Sequence, residues 1–197
     1  MIPRHLLIGV SIMLLIAVGM GVYVWRTRTR VVATQPAPDT RPITPPVSGP
    51  IEIVTLYVAY DDPGTLIPRQ VSIPLPEGRQ QRAEELLRAL LNLYLSKRSP
   101  HPLAAGSEIR AVYLVDPGLA VVDLNAALAD GHRSDILVEE LSVGSIVQTL
   151  STNIPGIVRV KFLVDGKERE TLAGHADLSS FYDVSAVNQL VAQMRGE

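Results

Sequence analysis

Leu141–Glu170 reads LSVGSIVQTLSTNIPGIVRVKFLVDGKERE, a helical pattern that breaks at Pro-Gly and continues as strand, tight turn and strand. Leu137, Leu141, Gly144, Val147 and Leu150 recur three or four residues apart, which places them on one side of a helix. A glycine inside a helix costs about 1 kcal/mol against alanine. Gly144 therefore predicts close packing against a neighbouring strand. Asn153-Ile154-Pro155-Gly156 stops the helix, because proline lacks a donor N–H and glycine accepts positive φ. Val158, Val160, Phe162 and Val164 then alternate with Arg159 and Lys161, the period of a half-buried strand. Leu163 breaks the alternation, so the outer face is expected to be partly covered. Asp165-Gly166 predicts a two-residue type I′ hairpin turn. Lys167–Thr171 reads as a short returning strand whose charges discourage edge-to-edge pairing.

Working back from this stretch, Ser134 is the expected N-cap of the helix, with Asp135 favouring its positive end. Asn125–Ala129 is expected to form one helical turn. Ile109–Val115 and Leu119–Leu124 are strands joined by Asp116-Pro117-Gly118. Arg79–Leu95 carries Ala83, Leu86, Leu87, Leu90, Leu91, Tyr94 and Leu95 as one broad apolar stripe, a core-facing helix. Gln70–Leu75 is a short edge strand limited by Pro74 and Pro76. Asp61-Asp62-Pro63-Gly64 reads as a solvated turn rather than a cation site. Ile51–Tyr60, apolar on both faces after Glu52, is expected to be a central strand. His101 and His132 lie in polar loops and are expected at the surface. Beyond the hairpin, Leu172–Leu178 is a connector. Asp183–Arg195 shows Val184, Val187, Leu190, Val191 and Met194 at helical spacing, with Asp183 as a possible cap, and is expected to dock on the head rather than on a partner.

Leu6–Trp25 is uncharged and apolar enough to span a bilayer core of about 30 Å. Tyr23 and Trp25 suit an interfacial belt. A cleaved signal peptide is the alternative, although its apolar region is usually about 7–15 residues and no clear cleavage motif follows. Val31–Pro50 holds six of the 15 prolines and reads as an extended tether. The expected organisation is a cytoplasmic N-terminus (1–5), a membrane anchor (6–25), a Pro-rich linker (26–50), a globular domain (51–179) and an amphipathic helical tail (180–197). Arg26, Arg28 and Arg30 follow the span and, counted literally, would put the C-terminal side in the cytoplasm. From Ile51 onward there are 13 basic and 19 acidic residues, a net charge of −6, which argues against nucleic-acid binding. The chain has no cysteine, so disulfides, thiol catalysis and thiolate metal sites are excluded.

These segments in order resemble the GerMN domain of bacterial sporulation and spore-germination proteins. The resemblance runs from about Ile51 to Ser179 and rests on VTLYVAYDDPGTLIPRQVSIPLP, AEELLRALL, IRAVYLVDPGLAVVDLNAAL and the long segment from Leu141 to Ser179. Asn125 stands where the family usually has serine. The resemblance implies an α+β fold, a two-layer mixed sheet covered by two main helices, similar to ring-building modules. It also implies a head outside the cytoplasm, the reverse of the arginine count. Arginines pairing with lipid phosphates at the outer surface reconcile the two.

Motifs for a nucleophile elbow, a zinc protease and a P-loop are absent from the sequence. Asp123, His175 and Asp177 are the residues that could converge as an acid/base pair or hard-metal site, cleaving cell-wall glycan. Set against this, Asp123 would cap the following turn, Asp165 shape the hairpin, and His175 and Asp177 tie down the connector. The second pattern is favoured: no catalytic, cofactor or metal residue is expected. The expected role is an anchored interaction or assembly module of the cell envelope, bound to the membrane and to other envelope proteins or itself. The alternative is a peptidoglycan binder or carboxylate-dependent glycan hydrolase.

Overall fold

The computed structural model describes residues 49–115 and 117–195. The expected anchor at 6–25, and the linker up to Ser48, lie outside the described residues. Among those described, no helix is long and apolar enough to cross a membrane.

The described residues open with a hairpin, β1 (Ile51–Tyr60) and β2 (Thr65–Pro74), paired antiparallel from Ile51 opposite Pro74 to Tyr60 opposite Thr65. Helix α1 (Arg79–Tyr94) follows, then β3 (Ile109–Val115) and β4 (Leu119–Leu124). A short helix α2 (Ala126–Asp130) and the long α3 (Ile136–Asn153) cross over to β5 (Arg159–Val164). The chain ends with β6 (Tyr182–Asp183) and α4 (Val184–Arg195). Strands β3, β4, β5 and β6 form one mixed sheet in that order, with only the β4–β5 pair parallel.

Among the described residues the architecture is mixed α+β with two sheets and four helices, where a single mixed sheet was expected. Strand β1 is not central. Its backbone pairs with β2 on one side only, and its other edge faces side chains of α3 and α1 in place of a third strand. Thr55 exchanges hydrogen bonds with Asn153, its N–H donating to Oδ1 at 3.1 Å and its carbonyl accepting from Nδ2 at 2.7 Å. The Tyr57 N–H donates to Thr149 Oγ1 at 3.0 Å, and the Tyr57 carbonyl accepts from Ser145 Oγ at 2.6 Å. The Ala59 N–H donates to the Tyr94 hydroxyl at 2.9 Å. Four helical residues advance about 6 Å and two strand residues about 6.7 Å, so side chains one turn apart on α3 keep step with alternate residues of β1. Strand β2 is longer than expected, with Pro68 and Pro74 in it. Both residues point their backbone away from β1, where a missing N–H costs no ladder bond.

Helix α1 packs mainly on β3, and α3 mainly on β1. The α1 stripe is core as expected, with Leu86, Leu87 and Leu90 fully buried, but Leu95 falls outside the helix and is exposed. A Cβ on Gly144 would lie 3.2 Å from Leu66 Cδ1, the close strand approach that a mid-helix glycine implied. The N-cap of α3 is Asp135, not Ser134: its carboxylate accepts from the Val138 N–H at 3.2 Å. Asp165 and Gly166 have φ of 51° and 73°, as a type I′ turn requires. The turn closes through Val164 and Lys167, but no second strand grows from it. Residues 168–171 form no ladder with β5, whose edge at Arg159 and Val160 is paired with β6. The connector covers Lys161, which is buried and donates to the Leu178 carbonyl at 3.0 Å.

Candidate functional site

The residues proposed to converge each hold a separate piece of the fold. Asp123 accepts from the Gly166 N–H at 2.7 Å and lies 3.3 Å from Arg110 Nε, so it fixes the hairpin turn. The following helical turn is capped instead by Asn125, which accepts from the Leu128 N–H at 3.0 Å. Asp177 accepts from the backbone and hydroxyl of Ser179, which hold its carboxyl down at about 2. His175 turns to Glu139, with Nδ1 2.9 Å from Oε1. Among the described residues, no group of three or more His, Asp or Glu side chains is arranged to hold a metal ion.

Glu139 anchors the connector. Its Oε2 accepts from the N–H groups of Ala173, His175 and Ala176 at 3.0, 3.0 and 2.9 Å. The side chain is fully buried. Burial pushes the carboxyl up, but His175 and the three amides outweigh it and hold it at about 2.

His101 and His132 are not surface residues: they are 0% and 7% exposed. Asp61 Oδ1 lies 2.6 Å from His101 Nδ1, His101 Nε2 lies 2.6 Å from Ser142 Oγ, and His132 Nε2 lies 2.7 Å from the same oxygen. His132 Nδ1 ends the chain at the Arg133 carbonyl, 2.9 Å away. The Asp61 turn is thus a bonded junction rather than a solvated loop, and Arg133 adds an ion pair to its Oδ2 at 3.3 Å. The connectivity Asp–His–Ser is that of a hydrolase relay, but the Ser142 hydroxyl is inside α3, 5% exposed and shared between two imidazoles. It braces three loops against one helix.

Burial pushes His101 down, against the upward pull of Asp61, which favours the neutral ring there. A second relay lies one turn along: Ala59 N–H to Tyr94, Tyr94 O–H to Ser145, and Ser145 O–H to the Tyr57 carbonyl. Burial drives the Tyr94 phenol up to about 12, so the relay keeps its proton at neutral pH.

An open groove runs between α3 and α4. A hollow of about 160 Å³ is walled by Leu66 of β2, Leu141 and Gly144 of α3, and Val187 and Leu190 of α4. Its polar side chains are Glu140 and Tyr182. Glu140 and Leu190 also line a second, shallower hollow that reaches Ile136, Leu137 and His175. Ile136, Leu137 and Leu190 are 66%, 40% and 39% exposed. Helix α4 itself rests on the head through buried Val187 and Val191.

The missed histidines had no signal of their own, since Pro102 and Gly131 beside them read as loop. The helix did carry one. Ser142, Ser145, Thr149 and Asn153 step by three or four, a polar stripe with helical period.

The head is thus an α+β body whose acids and histidines brace loops onto one helix, beside an apolar groove. The chain belongs to the Germane family, described as sporulation and spore germination, which matches residues 55–170. A candidate lipoprotein from Clostridium perfringens is similar at 19% identity and TM-score 0.45, over 72% of this chain and 93% of that one. The tandem GerMN domains of the sporulation protein GerM from Bacillus subtilis are similar at 20% identity and TM-score 0.49, over 66% of this chain and 45% of that one. The first GerMN domain of the same protein is similar at 19% identity and TM-score 0.44, over 66% and 94%. No curated protein matches the chain.

Proposed function

We propose that the head is an interaction and assembly module of the cell envelope, held at the membrane by its N-terminal segment and displayed outside the cytoplasm. One observation carries this reading: exposed apolar side chains, Ile136, Leu137 and Leu190, line the α3–α4 groove, while the acids and imidazoles first suspected of chemistry are bonded into the fold. Exposed apolar surface rimmed by polar residues is what a partner covers. Membership of a sporulation and germination family agrees with an envelope setting for this chain.

Crosslinking in intact cells, followed by identification of what co-purifies with the full chain, tests the role. A stable protein partner or a defined self-assembly is expected, and protease added outside the cytoplasm should cut the head. Sedimentation with isolated peptidoglycan, with no protein crosslinked, would replace this reading by a wall-binding one.

A further inference from the structure

We infer that the α3–α4 groove receives an amphipathic helix of a partner protein that sets one large apolar side chain beside a lysine or arginine, whose cation pairs with Glu140. This rests on the interaction-module reading and adds the chemistry of the partner.

The hollow of about 160 Å³ accepts one anchor. A dry cavity of about 150 Å³ takes a benzene ring, so the size suits a single leucine or aromatic side chain. The floor is apolar, and its continuation over Ile136 and Leu137 runs along the first turn of α3, the setting in which grooves between helices take a third helix.

Glu140 defines the second half of the partner. Its carboxylate is half-buried among apolar walls, next to Glu139, and among the described residues no hydrogen bond or ion pair reaches it. Three cations of the head are committed elsewhere. His175 faces Glu139, Arg133 pairs with Asp61, and Lys161 donates to carbonyls of the connector. Burial, and then the charge of Glu139, push the Glu140 carboxyl up, and burial followed by the charge of Glu140 pushes the Tyr182 phenol up in the same hollow. A half-desolvated carboxylate without a counter-ion is relieved by an incoming cation, and Glu139 strengthens that attraction. The head carries a net charge of −6 from Ile51 onward, so a basic partner is drawn to it and a second copy is repelled.

The test places a photo-crosslinking amino acid at Ile136 in the full-length protein in its native cells, with a second variant labelled at Tyr113 of β3, outside the groove. Expected from Ile136 is a crosslinked peptide of another protein in which a lysine or arginine lies within one helical turn of a large apolar residue. Glu140→Lys should lower that capture about tenfold or more, and Glu140→Gln severalfold, and changing the partner's cation to glutamate should restore capture by Glu140→Lys. Glu140→Gln decides if Glu140→Lys does not fold. Crosslinks only to this chain's own residues, only to lipid, or undiminished in Glu140→Gln overturn the proposal. A partner captured from Tyr113 but not from Ile136 overturns it while leaving the interaction-module reading standing. No protein captured from either position ends both.

Discussion

Helices α1 and α3 are 16 and 18 residues long, yet they are buried in different ways. Helix α1 buries Ala83, Leu86, Leu87, Leu90, Leu91 and Tyr94, a single stripe against the sheet, and leaves Arg79 and Arg88 exposed. Helix α3 is buried nearly all round from Val138 to Leu150, and its buried residues include Glu139, Ser142, Ser145, Gln148 and Thr149. A helix that covers one surface needs only apolar side chains on one side. One that is surrounded must satisfy whatever each neighbour lacks. For α3 that means the free edge of β1, the loops around His101 and His132, and the N–H groups of the connector.

This contrast explains what could be read in advance. The α1 stripe, the Pro-Gly stop after Asn153 and the Asp165-Gly166 turn are local patterns that appear in the fold, whereas the alternation of β5 does not hold, since Lys161 is buried and Val158 is exposed. The position of β1 was not legible, because its apolar residues look the same whether the second edge meets a strand or a row of hydroxyls and amides. Neither was the burial of His101 and His132, which depends on Ser142 at a distance of 41 and 10 residues along the chain. For the candidate site, Leu190 was visible as part of an amphipathic pattern. Glu140 was not, because only the packing of α4 shows that its carboxylate is left without a counter-ion.

The contrast between the two helices can be broken first at Glu139. Glu139→Ala leaves three amides of the connector without an acceptor and should cost about 3–5 kcal/mol in denaturant unfolding. Leu90→Ala in α1 is expected to cost about 3 kcal/mol through a cavity. A loss under about 1 kcal/mol for Glu139→Ala would mean that α3 is held by its apolar contacts alone, as α1 is. The pH profile sharpens the same point. The folded carboxyl of Glu139 sits at about 2 against an ordinary 4.5, so its contribution is complete above 4.5 and is lost as pH falls through 2. Stability measured from pH 5 down to 2 should therefore drop less in Glu139→Gln than in the wild type.

Asn153→Ala is the next smaller effect, about 1–2 kcal/mol. Hydrogen exchange should speed at the Thr55 and Tyr57 amides of β1, while the amides within α1 keep their protection. Equal acceleration in both helices would show that the side-chain edge of β1 is not a local device.

The smallest effect has the opposite sign and bears on function. Glu140 is the acid of α3 that the fold itself does not use. Replacing it with glutamine removes a poorly solvated charge beside Glu139, worth at most about 1 kcal/mol, or ~2–4 °C in Tm. The most direct measurement is Tm and partner capture from the Ile136 crosslinker on one preparation of Glu140→Gln. A Tm equal to or above that of the wild type, with capture reduced severalfold, is the predicted result. A lowered Tm with undiminished capture would make Glu140 one more brace of α3 and contradict its assignment to a partner.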